Sequence, residues 1–157
     1  MFDHGQIAAV AQALQNGNAD QLYRGIERLA EGVIGFKMLT VMRYDAASSE
    51  LVRVFSNNVD QYPIGGSKVK ADSVWKRTLL VGCQPVLSNC AEAVKVHFDD
   101  WQRLQNLGIA AILNIPITRQ GRCVGTLNFG HQQGWFTDWH VEVGVVLGAL
   151  LLAALDC

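Results

Sequence analysis

A chain of 157 residues, half of them hydrophobic and only 17% charged, is long enough to bury one real core, too short for two ordinary domains and too apolar to be disordered. Its formal net charge is −1 and no run of Lys or Arg stands out, which points away from nucleic acid and from anionic membrane surfaces. Residues 1–157 are therefore expected to form a single domain.

The opening Met1-Phe2-Asp3-His4 lacks a basic segment followed by an apolar one, so no secretory signal is expected and a cytoplasmic location is the default. From about residue 3 to 32, Ile7, Val10, Ala11 and Leu14 form one helical stripe, and Leu22, Ile26, Leu29 and Val33 form a second. Asn16-Gly17-Asn18 breaks the run, and Asn18 or Asp20 can cap the second helix through a side-chain oxygen. Phe36 to Tyr44 is apolar and β-branched, which fits a strand, and after the turn at Asp45 its antiparallel partner is Leu51 to Ser56. Asn57 to Lys68 is rich in turn formers and reads as a surface connection.

Asp72 and Ser73 mark a helix start, with Val74, Trp75, Thr78 and Leu79 on a stripe that stops before Gly82. Pro85-Val86-Leu87-Ser88 is a short extended piece whose proline places it at a sheet edge. Helical spacing returns through Phe98, Trp101, Leu104 and Gln105, with Gly108 as C-cap. Ala110 to His131 reads as a β-hairpin turning at Arg119-Gln120-Gly121; a three-residue loop would pair Thr118 with Arg122. One face would then carry Ala111, Leu113, Ile115, Ile117, Cys123, Leu127 and Phe129 as core. The other would carry Ile112, Asn114, Pro116, Val124, Thr126 and Asn128, a mixed surface suited to a pocket floor. A two-residue loop would shift the register and separate Asn114 from Asn128. Thr137 then caps the last helix, whose apolar residues from Val141 to Leu155 fall short of the roughly 20 needed to span a bilayer.

This order predicts an α+β fold: an antiparallel sheet, terminal helices on one face and the irregular middle on the other. Val141, Val145, Val146, Leu147, Leu150, Leu151, Leu152 and Leu155 extend round more of the last helix than one packing stripe needs, which favours a homodimer through the terminal helices.

The ordered set Gly82-Cys-Gln-Pro-Val-Leu-Ser-Asn89, Leu113-Asn-Ile-Pro-Ile117, Gly121-Arg-Cys-Val-Gly-Thr-Leu-Asn-Phe129 and Trp135-Phe-Thr-Asp138 resembles a GAF domain over nearly the whole chain. The resemblance implies a GAF/PAS-like sheet of five or six antiparallel strands, a small-molecule site between sheet and middle segment, and frequent dimerisation. Phe98-Asp99-Asp100-Trp101 only loosely echoes the signature of cyclic-nucleotide-binding relatives, and no cysteine has the adjacent histidine that bilin-binding relatives use. Relatives that reduce free methionine sulfoxide carry a catalytic cysteine where Trp75 stands, and carboxylates where Ile112, Asn128 and Gly130 stand.

Trp75 and Trp101 can wall a pocket or plug the core beneath the covering segment. Asn114 and Asn128 can read a polar ligand edge or bond to flanking backbone and water, and Thr126 needs no reason beyond being a strand former. His97, Asp99, Asp100 and His131 are the one grouping with acid-base or metal chemistry, but His97-Phe98-Asp99 is not a metal spacing, so no metal is expected and a surface role is. Ser73 has no nucleophile elbow around it. Lys68, Lys70, Lys76 and Arg77 near the pocket rim leave an anionic ligand open. None of the four cysteines, Cys83, Cys90, Cys123 and Cys157, has Cys-x-x-Cys spacing, so small buried residues are expected. The favoured reading is a non-catalytic, ligand-binding regulatory domain with Trp75, Trp101, Asn114, Thr126 and Asn128 at its site and no cofactor named. The alternative is a thiol-dependent redox enzyme or sensor using Cys83 and Cys90.

Overall fold

The computed structural model describes residues 2–155. Helices α1 (His4–Asn16) and α2 (Ala19–Val33) are separated at Gly17, whose φ of 64° ends α1, while the Asn18 side chain accepts from Gln21 N to start α2. Strands β1 (Met38–Asp45) and β2 (Glu50–Ser56) follow, then a short β3 (Ser67–Val69) inside what the sequence presents as loop. Ser73 caps α3 (Val74–Lys76), which widens into a π-helical turn at Arg77–Val81 and stops at Gly82. Strand β4 (Val86–Ser88), helices α4 (Ala91–His97) and α5 (Trp101–Asn106), the hairpin β5 (Ala111–Arg119) and β6 (Arg122–His131), and α6 (Asp138–Leu151) complete the chain. Thr137 caps α6 in a reciprocal box with His140.

The strands form one antiparallel sheet in the order β3-β2-β1-β6-β5-β4, so β4 is an edge and β1 and β6 share the centre. This is the α+β architecture expected, with six strands. Leu39, Val41, Leu113, Ile115, Ile117, Leu127 and Phe129 pack against α2 and α6 on one face. On the other, Met38, Met42, Tyr44, Leu51 and Ile112 meet Trp75, Leu79, Phe98 and Leu104 of the covering segment.

The hairpin turn differs from the three-residue loop. Arg119 pairs with Arg122 across a two-residue turn, Gln120-Gly121, with φ of 51° and 78°. Both central residues are left-handed, the geometry that matches strand twist. The bulge that follows moves the register by one step more: Thr118 pairs with Cys123 and Ile117 with Gly125, leaving Val124 unpaired, so side chains beyond it keep their expected faces while their partners are two residues further along β6. Asn114 therefore stands directly opposite Asn128. The same bulge reverses two expected positions, since Cys123 joins the covered pocket-side cluster and Val124 packs against the helix-side core. A second bulge in β2 leaves Val54 unpaired between Val41–Phe55 and Met42–Arg53.

Gly125 sits where β6 passes β1 and the C-terminal turn. A Cβ there would lie 2.5 Å from Met42 O and 2.6 Å from Leu155 Cδ1, and neither the backbone oxygen nor the packed leucine has room to retreat. Gly125→Ala is expected to lower unfolding stability by about 1–3 kcal/mol in urea titration.

Candidate functional site

The pocket face of the sheet carries a buried polar relay. Trp75 Nε1 donates to Asn114 Oδ1 at 3.0 Å, and Asn114 Nδ2 donates to Asn128 Oδ1 at 2.8 Å. Asn128 Nδ2 then donates to Thr126 Oγ1 at 3.1 Å and Thr40 Oγ1 at 3.2 Å. All five residues are buried. The relay joins α3 to β5, β6 and β1, and it uses most of what the two amides can offer. The asparagines thus bond to each other, to the indole and to hydroxyls, an arrangement neither sequence reading anticipated.

Next to the relay lies a cavity of about 40 Å³, room for a few water molecules and too small for an organic ligand. Its outer wall, formed by Met42, Arg53, Tyr62, Lys68 and Asp100, is also the inner wall of a cleft of about 550 Å³ that opens toward Lys70, His97 and Arg103. That volume is within the usual range for small-molecule sites, roughly 300–1,000 Å³.

Tyr62 organises the partition. Its hydroxyl donates to Asp100 Oδ2 at 2.7 Å, and its ring lies between two guanidinium groups, Arg53 at 5.1 Å and Arg103 at 5.5 Å. Burial, followed by the bond to the Asp100 carboxylate, pushes the phenol well above its ordinary range, so it remains a donor. Lys70 Nζ lies 4.5 Å from the Trp75 ring centre and donates to His97 O at 3.2 Å. Burial, reinforced by the like charge of Lys68, lowers the Lys70 pKa to about 8. Lys68 is lowered for the same first reason, burial.

Trp101 is not part of this site. It lines a separate groove with Val94, Gln105 and Ile109, and Lys95 Nζ stands 4.4 Å from its ring centre. His97, Asp99 and Asp100 line the outer cleft, whereas His131 stacks on Trp135 at 3.8 Å. Among the described residues no three His, Cys, Asp or Glu side chains converge on a metal position. Sequence reasoning missed Tyr62 and Arg53, which lie in or beside a segment read as surface connection. The one signal available was an aromatic residue amid turn formers.

The redox pairing is not formed. Cys83 and Cys90 flank β4 at opposite ends, and an extended run rising about 3.3 Å per residue carries them beyond disulfide reach. The Cys83 thiol donates to Gly121 O at 3.5 Å, while Cys90 starts α4 without a side-chain capping bond. Cys123 is buried, which pushes its thiol up to about 11, away from thiolate chemistry. Cys157 lies outside the described residues.

The family model described as GAF domain matches residues 18–156. The chain belongs to the GAF domain family. Solved GAF structures share its fold at low identity. The GAF domain/HD domain protein from Geobacter sulfurreducens is 11% identical, with 90% of this chain and 95% of that one covered at a TM-score of 0.72. The GAF domain of a two-component sensor histidine kinase from Bacillus halodurans is 19% identical, with 87% and 92% covered at 0.68. The chromophore-binding domain of a bacteriophytochrome from R. palustris is 11% identical, with 92% of this chain and 58% of that one covered at 0.65. No curated protein sequence matches the chain. Within this GAF fold, no helix among the described residues is long and apolar enough to cross a membrane.

The relay makes a thermodynamic prediction. Asn114→Leu strands the Trp75 indole N–H and Asn128 Oδ1, and is expected to cost about 1–3 kcal/mol. Because each asparagine satisfies the other, Asn114→Leu/Asn128→Leu is expected to cost less than the two single changes added, by about 0.5–3 kcal/mol, in urea unfolding of all four proteins.

Proposed function

We propose that the chain works as a single, non-catalytic sensory unit that binds a small molecule in the cleft beneath Tyr62 and passes the event to a partner. The observation that carries this is the 550 Å³ cleft between sheet and covering segment, walled by Arg53, Tyr62, Lys68 and Lys70. Trp75, Asn114, Thr126 and Asn128 form the floor of the inner cavity and hold that wall in position. Membership of a family found in sensory and regulatory proteins supports the same reading.

In a metabolite screen read by thermal stability and tryptophan fluorescence, a binding compound is expected to raise the unfolding midpoint and perturb emission. Tyr62→Ala should then weaken it about tenfold or more, and Trp101→Phe, altered in the other groove, should leave its affinity unchanged. A silent screen, or equal affinity in Tyr62→Ala, overturns the proposal.

We further propose that two copies pair through their terminal helices. Trp139 and Val146, seven positions apart on one side of α6, are 58% and 60% exposed, Val145 is 45% exposed, and Ile7 on α1 is also 45% exposed. Sedimentation is expected to give a dimer that dissociates on dilution and is replaced by monomer in Val146→Glu; a monomer at all concentrations excludes it.

A further inference from the structure

The chemistry of the ligand can be read from what the cleft wall lacks, an inference that rests on the cleft being the binding site. Arg53 Nε is buried with no hydrogen-bond partner, although Nη1 of the same group donates to Pro63 O at 3.0 Å. The Lys68 ammonium donates no hydrogen bond and makes no ion pair among the described residues; it stands 6.0 Å from the centre of the Phe98 ring. Both groups line the inner cavity as well as the outer cleft, so they meet at the boundary between the two.

Register puts them there. The β2 bulge at Val54 brings Arg53 opposite Met42 on the pocket face, and the pairing of Leu51 with Lys68 sends the lysine to the same side. The cleft holds four cationic side chains, Arg53, Lys68, Lys70 and Arg103, against two carboxylates, Asp99 and Asp100, an excess of two positive charges in a chain whose net charge is −1. Asp100 accepts from the Tyr62 hydroxyl and Asp99 is exposed, so both act on Lys68 through space, without a hydrogen bond or ion pair to it among the described residues. A buried guanidinium N–H without an acceptor is costly, the half-buried Lys68 ammonium adds a second positive charge beside it, and an arriving anion offsets both.

We propose that the cleft takes a small organic anion, a carboxylate or a phosphate, whose oxygens accept from Lys68 Nζ and whose charge is matched by the Arg53 guanidinium in the wall. Guanidinium and ammonium together suit either oxyanion, one as a planar donor and the other as a point charge. Lys70, depressed by burial and by Lys68, gains an opposing charge in the same event.

The test follows the Trp75 indole N–H resonance while inorganic phosphate, succinate and the uncharged succinamide are added separately. Succinate or phosphate is expected to shift that resonance saturably, and the difference between them tells which oxyanion the site prefers; succinamide should not shift it. Lys68→Met and the polar Lys68→Gln are expected to weaken the anion by at least about tenfold. Lys95→Met, which removes the same charge beside Trp101, should leave binding unchanged. The proposal is overturned if neither anion shifts the resonance, if succinamide binds as tightly as succinate, or if both Lys68 variants bind like the wild type. A neutral compound that shifts the Trp75 resonance where both anions fail would leave the cleft as a binding site and remove only its anion preference; failure of every compound removes both.

Discussion

Two buried primary amides cannot be left half satisfied, and this constraint organises the middle of the molecule. Asn114 and Asn128 sit face to face across the two longest strands, both buried beneath the covering segment. Each unpaired donor or acceptor there would cost about 1–3 kcal/mol, so the amides must find one another and then find more. They do so by recruiting Trp75 from the covering segment and two threonine hydroxyls from β1 and β6. The covering segment is otherwise made of very short helices with little stability of their own. A directional bond from its one buried indole fixes where it rests on the sheet, which apolar contact alone would not do.

The opposite face has the reverse logic. There the contact between α6 and β5 is apolar and close, with the Cβ positions of Gly144 and Gly148 only 3.0 and 3.2 Å from Ile115 side-chain atoms. Small residues let the helix backbone descend onto the strand, leaving no void and little slack. Asn114 and Ile115 are neighbours in β5, one in the relay and the next under α6. Polar registration on one face and dense apolar packing on the other are thus carried by consecutive residues of a single strand.

Much of this was legible in the sequence because period and punctuation survive folding. Helical stripes, the Asn18 and Thr137 caps, the edge strand after Pro85 and the shared face of Asn114 and Asn128 were all readable from local chemistry. Two short elements were not legible. Strand β3 is three residues long and only its middle residue turns inward, and α4 presents one buried apolar residue, Val94, too few for a periodic signal. The hairpin shows a subtler limit. Gln120 takes a left-handed position usually held by Gly, Asn or Asp, which hid the two-residue turn, and the Val124 bulge then restored the facing of the side chains, though not their partners. The shared face of the two asparagines follows from a loop that does not form, and their direct opposition comes from the bulge. Trp101 packs on the expected side of the sheet but lines a different groove, because helical spacing says that an indole is covered without saying which cavity it borders.

The saturated relay also decides where recognition has to occur. Asn128 has both amide hydrogens and its oxygen engaged, and Asn114 has its oxygen and one hydrogen engaged, so the floor has little left for a ligand. The cavity beside it admits water and nothing larger. In the proposed reading recognition falls to groups one layer out, where Arg53 Nε is a buried donor without an acceptor and the Lys68 ammonium makes no ion pair among the described residues. Both owe their direction to a single extra residue in β2: without the Val54 bulge, alternation along the strand would send Arg53 to the helix-side core and take Leu51 and its partner Lys68 with it. A one-residue irregularity in an otherwise regular sheet therefore converts a strand that would bury an arginine in the wrong core into the cationic wall of a cleft.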